Sequence, residues 1–169
     1  MLLLAALFVA QAPASDPAFR PSASVDVASA VGDCWRAVGS GSVDRNLLAK
    51  RGWSAVVETG GEQAERPLDV YTKAGANHRI MIPRAAEAKS LCAVIARVSS
   101  RSEGGAAVTA IQRSLQTLDS NVRAMRADDS IVFVSGSYFA LVDELDSDHV
   151  TKEQPGLRIT VGYKNSEKK

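Results

Sequence analysis

The 169-residue chain has few of the residues that usually reveal a biochemical activity. It contains two histidines and two cysteines, and aromatic residues make up only 5% of it. Lys and Arg number 20 against 19 Asp and Glu, so the formal net charge is +1. A chain so close to neutrality has no overall field that would attract nucleic acid or an anionic membrane. The composition therefore predicts no nucleic-acid partner.

Motifs that identify cofactor and catalytic sites are also missing. The sequence has no phosphate-binding loop, no dinucleotide-binding glycine motif and no zinc-type pair of cysteines. Ser137 lies in the stretch VSGSY, which lacks the flanking glycines of a nucleophile elbow. We therefore predict no cofactor and no metal, and the sequence singles out no catalytic residue.

No apolar run approaches the ~20 residues that a membrane-spanning helix needs, so we predict no transmembrane segment. The chain does begin with a short apolar run, Leu2 to Ala10, followed by the small-x-small triplet Ala12-Pro13-Ala14. This arrangement is typical of a cleaved signal peptide. We predict that residues 1–14 are the signal peptide and that the protein is periplasmic or secreted. The alternative is a buried N-terminal segment, because no Lys or Arg precedes the run.

The two cysteines, Cys34 and Cys92, are predicted to form one disulfide, because an even number of cysteines in an exported protein usually pairs. In the chain-entropy model a loop of this length stabilises the fold by ~4–5 kcal/mol. The alternative is a reactive thiol that works with a histidine.

Two stretches have the apolar spacing of an amphipathic helix. The first covers 26–38 and places Trp35 in its apolar stripe, where we expect it to be part of the core. The second follows a predicted break at 103–105 and ends near Asp119.

Several stretches between and after these helices have the pattern of β-strands. They are 53–58, a hairpin formed by 68–73 and 79–82, the apolar run 91–98, two segments within 130–142, and the alternating stretch 157–163. Two alternatives remain open: a helix over 84–98, and a single bent strand over 130–142. Trp35, Trp53, Phe133, Tyr138 and Phe139 are expected to be core residues.

The order of elements predicts an α+β fold, an antiparallel sheet with two main helices packed on one face. We assign it to a single domain over 24–164, between a flexible segment at 15–23 and a disordered tail at 165–169. The same order also fits a duplicated α-β-β-β unit.

A basic cluster brackets the predicted hairpin at 68–82, and it consists of Lys73, His78, Arg79 and Arg84. Loops held by a rigid scaffold are where binding residues concentrate, so this cluster is our candidate binding site. Both histidines, His78 and His149, are expected to be solvated because they lie in predicted loops beside charged residues. The acidic run at 143–149 is expected to be a solvated hairpin tip rather than a calcium loop.

The sequence thus predicts an exported binding or accessory module without a recognisable catalytic site. Its partner would be an unidentified protein or a small anionic ligand. Two alternatives remain: a small hydrolase-like enzyme with an unrecognised site, and a protein of envelope assembly or structure.

Overall fold

The computed structural model describes residues 20–56, 68–145 and 155–164. Its eight-stranded sheet is antiparallel throughout, with the strand order β1-β2-β3-β4-β8-β7-β6-β5. The elements are α1 Ser24–Ala37, α2 Arg45–Lys50, β1 Trp53–Ala55, β2 Leu68–Lys73, β3 Arg79–Pro83, β4 Leu91–Arg97, α3 Arg101–Leu118, β5 Arg123–Ala127, β6 Ser130–Ser135, β7 Tyr138–Leu145 and β8 Gly156–Tyr163.

The sheet has one face under α1 and α3 and one open face. Successive side chains of a strand point to opposite faces, so the buried residues mark the covered face. They include Ile80, Val94, Ile159 and Phe133, and they form one core with the apolar stripes of the two helices. None of the described helices packs on the other face, whose side chains are mostly half-exposed. The predicted α+β fold is confirmed.

Each half of the chain contains a helix followed by four strands in sequential pairing, and β4 pairs with β8 at the centre. The two helices run parallel, because Ser24 Oγ donates to the Glu103 carbonyl at their N-termini while Gly32 lies against Ser114 further along. A two-fold axis that exchanged the antiparallel strands β4 and β8 would make the helices antiparallel. The two halves of the chain therefore share the order of their elements, but no two-fold axis relates one half to the other.

The first helix is attached to the centre of the sheet. Its stripe is buried, and Trp35 packs against Tyr138 with ring centroids 5.5 Å apart. Cys34 and Cys92 form the predicted disulfide, with Cα atoms 5.7 Å apart. The bond joins α1 to β4, so the predictions of a disulfide and of a core position for Trp35 are confirmed.

The predicted break at 103–105 is wrong, because α3 begins at Arg101 and continues through both glycines. Ser100 caps this helix by accepting a hydrogen bond from the Glu103 amide at 3.1 Å. Gly104 is buried in the first turns, where a Cβ would lie 3.8 Å from Val98.

The structure also settles the strand alternatives. The run at 91–97 is a strand, preceded only by a single 3-10 turn at Ala86–Ala88. Residues 130–142 form two strands around a turn at Gly136, whose φ of +56° favours glycine. The first strand ends at Ala55, and Val56 still donates its backbone N–H to the Val70 carbonyl; the last two residues of that prediction, Val57 and Glu58, lie outside the described residues.

Candidate functional site

The structure divides the predicted basic cluster. Lys73 and His78 lie together at the end of the β2–β3 hairpin, on the side of α1. Arg79 belongs to the open face, since its neighbour Ile80 is on the covered one. Arg84 lies at the other end of the hairpin, where its Nε donates to Asp69 Oδ1 at 2.7 Å. Only two of the four predicted residues therefore share a site.

These two residues line a cleft of about 180 Å³ between the first half of α1 and the turn after β2. Asp26 and Ser29 border it from the helix, and Trp53 from the start of β1. Because Asp26 and Ser29 are three residues apart, they lie on the same face of α1. The cleft thus combines an ammonium, a carboxylate, a hydroxyl and an imidazole around an indole.

Local sequence features position the turn that closes the cleft. Gly75 has a φ of +76°, a conformation that other residues adopt only with strain, so the chain can reverse there. Asn77 Nδ2 donates to the Pro21 carbonyl at 3.2 Å and ties the turn to the segment before α1. The hairpin end is therefore held next to the helix.

A buried carboxylate fixes the lysine side of the cleft. Asp33 of α1 is only 3% exposed and accepts a hydrogen bond from Trp53 Nε1 at 3.0 Å. Lys73 Nζ lies 3.9 Å from Asp33 Oδ2 and 5.7 Å from the centroid of the Trp53 ring. Arg36 and Arg51 each approach the other carboxylate oxygen at 3.7 Å. Sequence reasoning missed Asp33, since nothing in the sequence shows that an aspartate beside the apolar stripe accepts a hydrogen bond from a distant indole.

His78 is buried, so the expectation of a solvated histidine is wrong. It is 6% exposed, and its ring centroid lies 5.6 Å from that of Trp53. Burial lowers the pKa of His78 below its usual value of 6.5; the Asp26 carboxylate raises this pKa and the Lys73 ammonium lowers it. Nδ1 is buried and has no hydrogen-bond partner among the described residues. His78 is therefore a neutral imidazole near pH 7, with one ring nitrogen unsatisfied.

The cleft does not contain an assembled nucleophile and base. Ser29 and His78 line the same space, but no hydrogen bond joins them among the described residues. Hydrolysis by a serine would need its hydroxyl within hydrogen-bond reach of the imidazole. The arrangement instead suits recognition of a small molecule that carries both signs of charge.

The other parts of the described chain offer less chemistry. A second cavity, of about 230 Å³ beside α3, is larger but mainly apolar, and its Arg101 and Glu144 face each other at 3.8 Å. In the acidic run, Asp143 accepts hydrogen bonds from Arg158 and Ser130. Its remaining members Asp146, Asp148 and His149 lie outside the described residues. Within the described ranges, no three His, Cys, Asp or Glu residues are grouped to hold a metal ion.

The prediction that Phe139 is a core residue is wrong: its neighbour Ala140 is buried on the covered face, so Phe139 lies half-buried on the open face, opposite Gly162. Among the described helices, none has the length and apolarity needed to cross a bilayer.

Comparisons of the chain with protein-family models, with curated proteins and with solved structures found no match.

Proposed function

We propose that this protein is an exported binding module that holds a small zwitterion of the α-amino acid class in the cleft between α1 and the β2–β3 turn. The observation that carries the proposal is the placement of Lys73 and Asp26, which have opposite charges, in one cleft with the buried His78. A free α-amino acid has a carboxylate and an ammonium group separated by one carbon. It therefore matches the two charges of the cleft.

The carboxylate of such a ligand would approach Lys73, whose ammonium is positioned by Asp33 and by the Trp53 ring. The neutral imidazole of His78 can donate or accept one further hydrogen bond, and a bound ligand would give its unsatisfied nitrogen a polar partner. Hydrogen bonds to charged groups are the stronger ones, and they gain further where water is partly excluded.

The ammonium of the ligand would approach Asp26. This carboxylate is exposed, and no hydrogen bond to it is formed by the described residues. The hydroxyl of Ser29 lies one helical turn away on the same face and can accept a hydrogen bond from the ammonium. The volume of about 180 Å³ is below the ~300 Å³ at which drug-sized pockets begin, so the ligand is small.

Two observations support export. The Cys34–Cys92 disulfide is the kind of bond that persists in an oxidising compartment. The apolar run and small-x-small triplet in residues 1–14 add the expectation of a signal peptide, although these residues lie outside the described ranges.

A second candidate function is hydrolysis by a serine. The shared position of Ser29, His78 and Asp26 in one cleft favours it, because these are the residue types of a catalytic triad. It ranks second because the required hydrogen bonds are not formed. Turnover of an activated ester that is lost in both Ser29→Ala and His78→Gln would favour hydrolysis over binding.

Isothermal titration calorimetry tests the proposal with glycine, alanine and leucine as probes. Acetate and methylamine, which each carry only one of the two charges, serve as matched controls. We expect at least one amino acid to bind, and the single-charge analogues to bind at least about tenfold more weakly, since each loses a charge-assisted contact.

Two variants and a control complete the test. Lys73→Met and Asp26→Asn should each weaken binding by about tenfold or more, whereas Lys89→Met, outside the cleft, should not change it. The proposal is wrong if none of the amino acids binds at millimolar concentration, or if Lys73→Met and Asp26→Asn bind as tightly as the parent.

A further inference from the structure

The open face of the sheet has a continuous apolar band, made by two neighbouring rows of side chains that cross the strands. The register of the strand pairs defines both rows. One row consists of Leu68, Pro83, Leu91, Gly162, Phe139, Val134 and Arg123, and the other of Val70, Met81, Ala93, Thr160, Leu141, Val132 and Met125. Only Arg123, at one end, is charged.

Two of the four strongly exposed large apolar residues among the described residues, Leu68 and Met125, are members of the band, and Met125 is 52% exposed. A third, Val56, donates its backbone N–H to the Val70 carbonyl just beyond β1 and extends the second row. Large exposed apolar patches on a soluble domain mark interaction surfaces.

The centre of the band is flattened by a glycine. A Cβ at Gly162 would lie only 2.4 Å from Phe139 Cζ and 2.6 Å from Leu91 Cδ2. The side chains of Phe139 and Leu91 therefore extend over Gly162 from the neighbouring strands, along the sheet surface rather than perpendicular to it. A flat apolar centre suits contact with another broad surface better than it suits a small ligand.

We propose that the open face is a self-association surface and that its occupant is a second copy of this chain, stacked sheet against sheet. The proposal concerns the face opposite the cleft and does not depend on the ligand. Two identical sheets have the same right-handed strand twist, so their faces can stack in the aligned orientation of β-sandwiches. A two-fold axis that lies between the two sheets, either parallel or perpendicular to the strands, places the band of one copy against the band of the other.

The charge distribution also fits a second copy. Charged side chains begin in the next row, where Arg158 is paired with Asp143 at 3.0 Å and Arg79 lies nearby. A copy docked on the band thus meets apolar side chains at its centre and polar groups at the edge, the usual anatomy of a stable interface.

The size of the face is close to what a stable dimer needs. Eight strands at about 4.8 Å spacing span roughly 34 Å, and the two rows of the band together with the polar row beside them cover five residues along a strand, roughly 17 Å. The flat footprint is roughly 570 Å² per copy, and the uneven surface of the side chains adds to it. This area is near the ~600–800 Å² per partner that specific interfaces bury.

Sedimentation velocity across a concentration series tests the proposal with the full chain. We expect the parent to convert from monomer to dimer as its concentration rises. Thr160→Arg places a charge at the centre of the band, once in each copy, and should raise the dimer dissociation constant by roughly thirtyfold or more. Thr160 is already polar and only partly buried, so this variant should still fold.

Thr72→Arg is the matched control, because it makes the same change on the same face but in the row outside the band. It should change the dissociation constant by less than about threefold. A parent that stays monomeric at every concentration overturns the proposal, as does a Thr160→Arg variant that dimerises like the parent. A monomeric parent that floats with phosphatidylglycerol vesicles would assign the band to lipid instead and would also overturn it.

Discussion

Removing the disulfide should lower the stability of the fold by an amount set by the loop it closes. Cys34 and Cys92 are 58 residues apart in sequence, and both are fully buried. In the chain-entropy model such a cross-link removes ~14 cal/mol/K from the unfolded chain, which is about 4 kcal/mol at 25 °C. The bond also joins α1 to β4, so its loss removes a covalent tie between the helix layer and the central strands.

The double variant Cys34→Ala with Cys92→Ala tests this value, measured by urea denaturation followed by circular dichroism. We expect the free energy of unfolding to fall by about 4 kcal/mol, and the melting temperature by about 8–16 °C for a domain of this size. The parent treated with reductant should lose a comparable amount. A loss below about 1 kcal/mol would refute the reasoning, because it would mean that the unfolded chain is not constrained by the loop.

The remaining predictions concern the core and the cleft. Trp35→Ala should lower the free energy of unfolding by about 3–5 kcal/mol, because the indole is buried against Tyr138; a variant that melts like the parent would contradict this. The lowered pKa of His78 means that the unfolded chain takes up the proton first, so stability should fall as pH decreases through about 6.5 towards the folded pKa. In thermal melts at about pH 7.5 and 5.5, His78→Gln should therefore lose less stability than the parent; equal losses in the parent and in His78→Gln would exclude His78 as the origin of the pH dependence.

The parts of the fold with strong local patterns could be predicted from the sequence. The helical stripe around Trp35 and the alternation at 157–163 each correspond to an element with one buried face. The strand β5 has no such pattern, since all five of its residues are exposed. It is stabilised at the sheet edge by its pairing with β6, which local sequence does not encode.

The candidate site was only half predictable for a similar reason. Lys73 and His78 are close in sequence, so their proximity follows from the hairpin. Asp26 and Asp33 come from α1, and only the packing of that helix against the hairpin brings them to the cleft. The same packing buries His78, which its charged neighbours in sequence suggested would be solvated. The apolar band required the register of seven strands and was not foreseen.

The most direct test of the proposed function is a titration of the isotope-labelled protein with glycine, followed through the imidazole resonances of its two histidines. Ligand bound between Lys73 and Asp26 lies beside the His78 ring, which has an unsatisfied nitrogen. We expect the His78 resonances of the parent to shift and saturate, and those of the Lys73→Met variant to shift much less at the same glycine concentrations. Unchanged His78 resonances at a glycine concentration that would saturate a millimolar site, or equal shifts in the parent and in Lys73→Met, would contradict the proposed function.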